Sequence, residues 1–167
     1  MLNFLSPTKD DIPSLIAVVL WWLLMVTIRR SPYIVALVSI GGTALHEACH
    51  WIFGLLLGAK PGSISLWPRK ENNEWILGTA SFNNLHLLNA APVAFAPLAM
   101  LPLGVGIFKY WLTVAYLDAN YAAWVVASYF TACCFFACVP SSTDVRVGAV
   151  SAMLYLIIGY AVWYWGC

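Results

Sequence analysis

Three ionisable side chains stand close together in an otherwise apolar part of the sequence, residues 33–59. They are His46, Glu47 and His50, within the letters GGTALHEACHWIFG. On a helix, residues four apart lie on one face, so the two imidazoles can bind one metal ion from the same side. Glu47 is about 100° around the helix from His46, which is near enough to reach a water molecule on that metal.

The cluster has the form H-E-x-x-H, a spacing typical of zinc hydrolases. Zinc lowers the pKa of a bound water to about 7, and a carboxylate beside that water can act as general base. The spacing therefore predicts metal ligation by His46 and His50 and base catalysis by Glu47. The alternative is a polar helix face used for packing. It is disfavoured because an ionisable group at mid-bilayer costs about 2.5–3.5 kcal/mol and usually marks a functional site.

A catalytic zinc site needs a third protein ligand, and the sequence offers several candidates. Asp144 follows the letters PSST at a break between two apolar runs, where a carboxylate can point inward toward the cluster. Its alternative role is to cap the helix that follows. His86 is the main rival as third ligand, and Cys138 is a weaker one.

The elements that position this cluster are predicted to be membrane helices. Of the 167 residues, 62% are hydrophobic and 9% are charged, whereas soluble domains carry about 25% charged residues. The mean hydropathy is +0.82. We therefore expect a single transmembrane domain over residues 1–167, with the lipid bilayer as its surroundings. The net charge of +1 gives no indication of nucleic-acid binding.

Five apolar stretches each approach the roughly 20 residues that a helix needs to cross a bilayer. They are residues 12–28, 33–58, 87–108, 120–139 and 145–165. Pro92, Pro97 and Pro102 predict a kink or a break in the third stretch. The predicted fold class is an all-α polytopic membrane protein with about five transmembrane helices.

The segment between the second and third stretches, residues 60–84, is more polar than the rest of the chain. Short β-prone pieces at 63–67 and 75–82 flank a polar stretch in which Asn72 and Asn73 can form a turn. This pattern predicts a β-hairpin. Because lipid cannot satisfy an open strand edge, we expect the hairpin to lie at the membrane interface or to pack on protein.

The distribution of basic residues predicts that the hairpin side of the membrane is cytoplasmic, by a small margin. With five spans, that side carries Lys9, Lys60, Arg69, Lys70 and Arg146, and the other carries Arg29, Arg30 and Lys109. The expected location is therefore the cell membrane, with the N-terminus and the site toward the cytoplasm.

The H-E-x-x-H motif in a membrane span, the later Pro-x-x-x-Asp and the hairpin between them resemble the site-2 protease family of intramembrane zinc metalloproteases. The resemblance covers about residues 33–144. It implies a helical core that binds zinc through His46, His50 and Asp144, with Glu47 as base. It also implies cleavage of peptide bonds in or near transmembrane segments, so that the expected partner is a transmembrane protein substrate.

The resemblance further implies how the substrate is held. The hairpin of that family holds an unwound substrate strand, which assigns substrate contacts to Ser63 and Ser65 here. Ala90-Ala91-Pro92 is similar to the family's Ala-Gly-Pro element, and Asn89 beside it is a further candidate for substrate binding.

Two departures from the family motifs support a second hypothesis. Val145 follows the aspartate where the family commonly has Gly, and Phe95 stands where an Asn is expected. The second hypothesis is a catalytically inactive membrane protein of the same fold, acting as a partner or regulatory subunit. A third is a membrane metallohydrolase that acts on short peptides or lipid-like molecules. The sequence favours no particular oligomeric state.

Overall fold

The computed structural model describes residues 8–28, 31–67, 69–71, 74–76 and 78–166. This part of the chain is mostly helical. Its helices are α1 (Ile12–Thr27), α2 (Pro32–Val38), α3 (Ile40–Leu56), α4 (Ala90–Ala94), α5 (Met100–Ile107), α6 (Thr113–Leu117), α7 (Tyr121–Ala137) and α8 (Ser142–Gly166). Tighter 3-10 turns precede α1 (Lys9–Asp11) and join α4 to α5 (Ala96–Ala99), and a π-helical turn (Phe108–Leu112) joins α5 to α6.

Three helical runs in the described chain are long and apolar enough to cross a membrane. They are Lys9–Thr27, Ala96–Leu117 and Ser142–Gly166. The predicted fourth span corresponds to α7, an apolar helix of 17 residues. The predicted second span is divided at Ser39 into α2 and α3. The structure thus supports a helical protein with membrane-spanning potential, whereas the count of five spans stays a prediction.

Ser39, where α2 meets α3, is braced by Tyr129 of α7. The Ser39 hydroxyl donates to the carbonyl of Val35 at 2.6 Å, a local bond that bends helices. The Tyr129 hydroxyl donates to the carbonyl of Val38 at 2.9 Å and accepts from the N–H of Gly41 at 3.3 Å. A Cβ on Gly41 would lie 3.0 Å from that hydroxyl. Glycine at this position therefore leaves the space that the tyrosine occupies.

The predicted third span differs from the structure at both ends. α4 ends at Ala94, and the helical path resumes at Ala96 with Pro97 in its first turn. Proline cannot donate to the helical ladder and disfavours helical geometry in the residue before it, which explains the break. The apolar helical run then extends to Leu117, so the end predicted at residue 108 is wrong.

Lys109 lies inside this run because Asp11 neutralises its charge. Nζ of Lys109 is 2.7 Å from Oδ2 of Asp11, which also accepts from the N–H of Thr8 at 2.8 Å. The hydroxyl of Thr113 donates to Oδ1 at 2.9 Å. A buried carboxylate is tolerated when it is paired and hydrogen-bonded in this way. The pair places Lys109 at the end of α1 that carries Lys9, so the prediction that Lys109 lies across the membrane from the N-terminus is wrong.

α7 packs against α1, α3 and α5. Its buried positions are small side chains, namely Ala127, Ser128, Thr131, Ala132, Cys133 and Cys134, which allow helices in a membrane to approach closely. Trp21 donates to the hydroxyl of Ser128 at 3.2 Å, and Trp124 donates to that of Ser14 at 3.1 Å. These bonds join α1 to α7 and give partners to the two buried indole-facing hydroxyls.

Two antiparallel strand pairs lie between α3 and α4. β1 (Pro61–Ser65) pairs with β4 (Thr79–Phe82), and β2 (Arg69–Glu71) pairs with β3 (Glu74–Ile76). This nested pairing is that of a hairpin. The turn predicted at residues 72–73 lies outside the described residues, and the predicted position of the hairpin at the membrane interface stays a prediction.

Candidate metal centre

His46 and His50 lie on the face of α3 that meets the ends of α7 and α4. Nδ1 of His46 is 2.7 Å from the carbonyl oxygen of Ala137, and Nδ1 of His50 is 2.8 Å from that of Val93. Carbonyls in the last turn of a helix lack helical partners and are ready acceptors. Because a carbonyl only accepts, each Nδ1 carries a proton, and in the neutral imidazole Nε2 then has a lone pair that a metal ion can use.

Asp144 joins the two histidines from the first turn of α8. Its Oδ2 is 3.4 Å from Nε2 of His46, and its Oδ1 is 3.2 Å from Nε2 of His50. The two Nε2 atoms are 3.1 Å apart. The ligand candidate that the sequence analysis selected by its position at a chain break is therefore brought against both imidazoles.

Asp144 is also a cap, so its two predicted roles are compatible. Its Oδ2 accepts from the N–H of Ser141 at 2.7 Å, and the hydroxyl of Ser141 accepts from the N–H of Asp144 at 3.1 Å. These reciprocal bonds form a capping box at the start of α8. The capping box fixes the carboxylate relative to the helix backbone before any ligand binds.

The packing of α8 on α4 sets the distance between Asp144 and the histidines. The Ser151 hydroxyl accepts from the N–H of Ala91 at 3.0 Å. A Cβ on Gly148 would lie 2.8 Å from the Cβ of Ala94, so glycine permits the close approach. Because α4 also supplies the carbonyl that holds His50, this contact couples the carboxylate to the imidazole.

The three side chains fit a tetrahedral metal site. One ligand atom from each lies within 4.8 Å of the others. Two ligands on a tetrahedral ion with bonds of about 2.0–2.1 Å are about 3.3–3.4 Å apart, which is close to the distances between His46, His50 and Asp144. Lone pairs and negative charge repel one another at this range, and a metal ion or a proton between them would offset that repulsion. The group could therefore hold a metal ion.

The two rival third ligands lie elsewhere. His86 is exposed, with its Nε2 3.2 Å from the amide nitrogen of Asn89. The thiol of Cys138 donates to the carbonyl of Phe135 at 3.3 Å. Among the described residues, neither His86 nor Cys138 belongs to the group that could hold a metal ion.

Glu47 lies beside the metal-binding group. It is 5% exposed and directly follows His46 on α3. It is not one of the three side chains that converge. This is the placement expected of a base that acts next to a metal ion.

Asn89, one of the three residues assigned to substrate binding, is buried and anchors a loop. Its Nδ2 donates to the carbonyls of Leu57 at 3.3 Å and Asn84 at 3.1 Å, and its Oδ1 accepts from the N–H of His86 at 2.8 Å. These bonds tie the loop after the hairpin to the end of α3.

Ser63 and Ser65 are both exposed on β1. The hydroxyl of Ser63 lies 3.3 Å from that of Ser81 on the paired strand. Contact of either serine with a substrate, like that of Asn89, stays a prediction.

Sequence reasoning missed three groups that orient the ligands. Ala137 and Val93 act through backbone carbonyls, so their side chains carry no signal. Ser141 could have been found, because Ser141-x-x-Asp144 has the spacing of a capping box just before an apolar run.

No family model, no curated protein and no solved structure matches this chain. The fold and the site define a largely helical protein, with apolar helices able to span a membrane and a His-His-Asp group that could hold a metal ion.

Proposed function

We propose that this protein is an intramembrane zinc metalloendopeptidase, similar to site-2 proteases, that hydrolyses peptide bonds in or near transmembrane segments. The observation that carries the proposal is the convergence of His46, His50 and Asp144, with Glu47 next to His46 on the same helix. The apolar helices around the site support a substrate that is itself in the membrane.

The proposed metal is zinc, held by Nε2 of His46 and His50 and by the carboxylate of Asp144. Bound zinc would polarise the peptide carbonyl and lower the pKa of water to about 7. The protein holds the ligands in place, because the carbonyls of Ala137 and Val93 prevent the imidazoles from turning away.

Glu47 acts as the proton carrier in this proposal. It takes a proton from the water that adds to the peptide carbonyl carbon, and it gives that proton to the nitrogen when the C–N bond breaks. Its burial keeps bulk water away from the carboxylate, so that the proton passes to the leaving amine rather than to solvent.

The proposed setting is a cell membrane, with the hairpin at the interface and the site toward the cytoplasm. α7, an apolar helix of 17 residues, would add a crossing to the three longer helical runs.

An open apolar groove supports a transmembrane substrate over a water-soluble one. It has a volume of about 530 Å³, lies between α4 and α8, and is lined by Ala91, Pro92, Phe95, Ala152, Tyr155 and Leu156. One of these residues, Pro92, adjoins Val93 in the chain, and the Val93 carbonyl holds His50. A hydrophobic segment lying in this groove would be close to the metal-binding group.

The test compares wild-type protein with Glu47→Gln and His46→Ala in detergent and in liposomes. We expect about one zinc per chain in the wild type and in Glu47→Gln, and little zinc in His46→Ala, because of these two substituted residues only His46 is a proposed ligand. Cleavage of a peptide library built on single transmembrane segments should fall at least ~100-fold in Glu47→Gln. Wild-type protein without bound zinc, or a Glu47→Gln variant that cleaves normally, would refute the proposal.

Phe95 favours a second candidate function, a zinc-binding but inactive partner subunit. Its ring packs against α8 at Gly148, where an added Cβ would lie 3.0 Å from it. An apolar contact thus occupies the position where an amide would support the substrate in an active protease. Bound zinc with no cleavage of the library by the wild type would select this candidate.

A further inference from the structure

The hairpin packs on α3 at two points where a glycine removes a side chain. At one point, the ring of Phe82 on β4 fills the space in which a Cβ of Gly54 would stand. At the other, Gly78 lies against Thr43 and Glu47. A Cβ on Gly78 would be 2.8 Å from Oε1 of Glu47, 2.9 Å from its Cγ and 2.8 Å from Cγ2 of Thr43.

These contacts lie along one side of α3. Thr43, Glu47 and Gly54 lie within about 40° of one another around the helix axis. His50 and His46 are displaced from Thr43 in the other direction, by about 20° and 60°, and their rings contact α4 and α7. The hairpin therefore covers Glu47 directly beside the side chains that form the metal-binding group.

We propose that Gly78 is a positioning residue for Glu47, and this inference rests on the proposed hydrolysis. Because Gly78 has no side chain, the hairpin backbone passes directly against the carboxylate and limits the positions that it can adopt. A larger residue would displace Glu47 or lift the hairpin. Either change would move the base relative to the reacting bond, where an error of about 1 Å can cost 100-fold in rate.

The kinetic test compares Gly78→Ala with Gly62→Ala, a matched control in the same hairpin. The added Cβ at Gly62 would meet the hydroxyl of Ser81 at 2.7 Å, a small group that can turn away. We expect both variants to keep the wild-type zinc content. In Gly78→Ala, kcat should fall about 10-fold or more, with KM within twofold of wild type, whereas Gly62→Ala should keep both values.

A rescue variant separates positioning from general damage. Thr43→Ser removes the methyl group that the new Cβ would meet, so the double variant Gly78→Ala with Thr43→Ser should recover part of the lost kcat. If Gly78→Ala does not fold, the double variant decides the question. Recovery of the fold and of partial activity would support the proposal, and failure to recover would overturn it.

A third measurement does not require catalysis. The reaction of Glu47 with a hydrophobic carbodiimide, followed by mass spectrometry, reports the surroundings of the carboxylate in each variant. We expect the rate to change threefold or more in Gly78→Ala and to stay at the wild-type value in Gly62→Ala. If the wild type cleaves nothing, the proposed function fails while this measurement still tests Gly78. Wild-type labelling of Gly78→Ala would overturn the role of Gly78.

Discussion

Asp144 combines two tasks in one carboxylate. It caps α8 through the N–H of Ser141, and it faces the Nε2 atoms of His46 and His50. The histidines are held in a similar way. Nδ1 of each donates to a backbone carbonyl, and Nε2 of each faces the centre of the site. The side chains at the site are therefore held by bonds to backbone groups, which a bound ion would not have to displace.

These two tasks can be separated by substitution. Asp144→Asn keeps an oxygen for the cap but removes the negative charge, so we expect the variant to fold. Its zinc affinity should fall more than about 100-fold, which exceeds the 10–100-fold loss caused by removing a residue that only contacts a metal ligand. Ser141→Ala removes half of the capping box and should cost about 0.5–2 kcal/mol of stability. Chelator competition and thermal melting measure the two effects, and equal zinc affinity in Asp144→Asn and wild type would exclude Asp144 as a ligand.

Whether a site residue could be predicted depends on how far it lies in sequence from the groups that it contacts. His46, Glu47 and His50 are related by helical spacing alone, so the sequence predicted their arrangement. Asp144 is almost a hundred residues away. The local sequence favoured it over His86 as third ligand but could not show that it contacts the histidines. The carbonyls of Ala137 and Val93 gave no signal, since any residue has a carbonyl.

At the level of elements, α3 is the part of the fold on which the site depends. It carries the two histidines, and directly beside them it receives the hairpin at Gly54 and near Glu47. The angle at which α3 leaves α2 is set at Ser39, where the hydroxyl of Tyr129 bridges two backbone groups. The joint was not predictable from residues 33–58, because the tyrosine that braces it belongs to α7.

Tyr129→Phe tests this brace. The variant leaves the carbonyl of Val38 and the N–H of Gly41 without their partner, and we expect a loss of about 1–2 kcal/mol in stability. Tyr121→Phe is the matched control on the same helix, because Tyr121 is exposed. Thermal melting in detergent should show a lower transition temperature for Tyr129→Phe alone, and equal transitions for the two variants would show that the bridge does not hold the joint.

At the scale of the whole molecule, the structure differs from the sequence prediction in where the charged residue Lys109 lies. The sequence analysis ended the third apolar stretch at residue 108, directly before Lys109, and a lysine in hydrocarbon is costly. The structure instead pairs Lys109 with Asp11 at the start of α1, and the helical run continues to Leu117. Local hydropathy could not predict this pairing, since its partners are separated by most of the chain.

The Asp11–Lys109 pair gives a prediction about the stability of the whole bundle. Lys109→Met would leave the buried carboxylate of Asp11 without its partner, and we expect a loss of about 3–5 kcal/mol, typical of breaking a buried ion pair. Adding Asp11→Asn should restore most of that loss, because no uncompensated charge is left. Lys9→Met is the control, since Lys9 is exposed in the same region, and it should change stability by less than about 0.5 kcal/mol. Thermal melting of the four proteins in one detergent measures these differences, and a Lys109→Met variant as stable as Lys9→Met would show that the pair contributes nothing to the bundle.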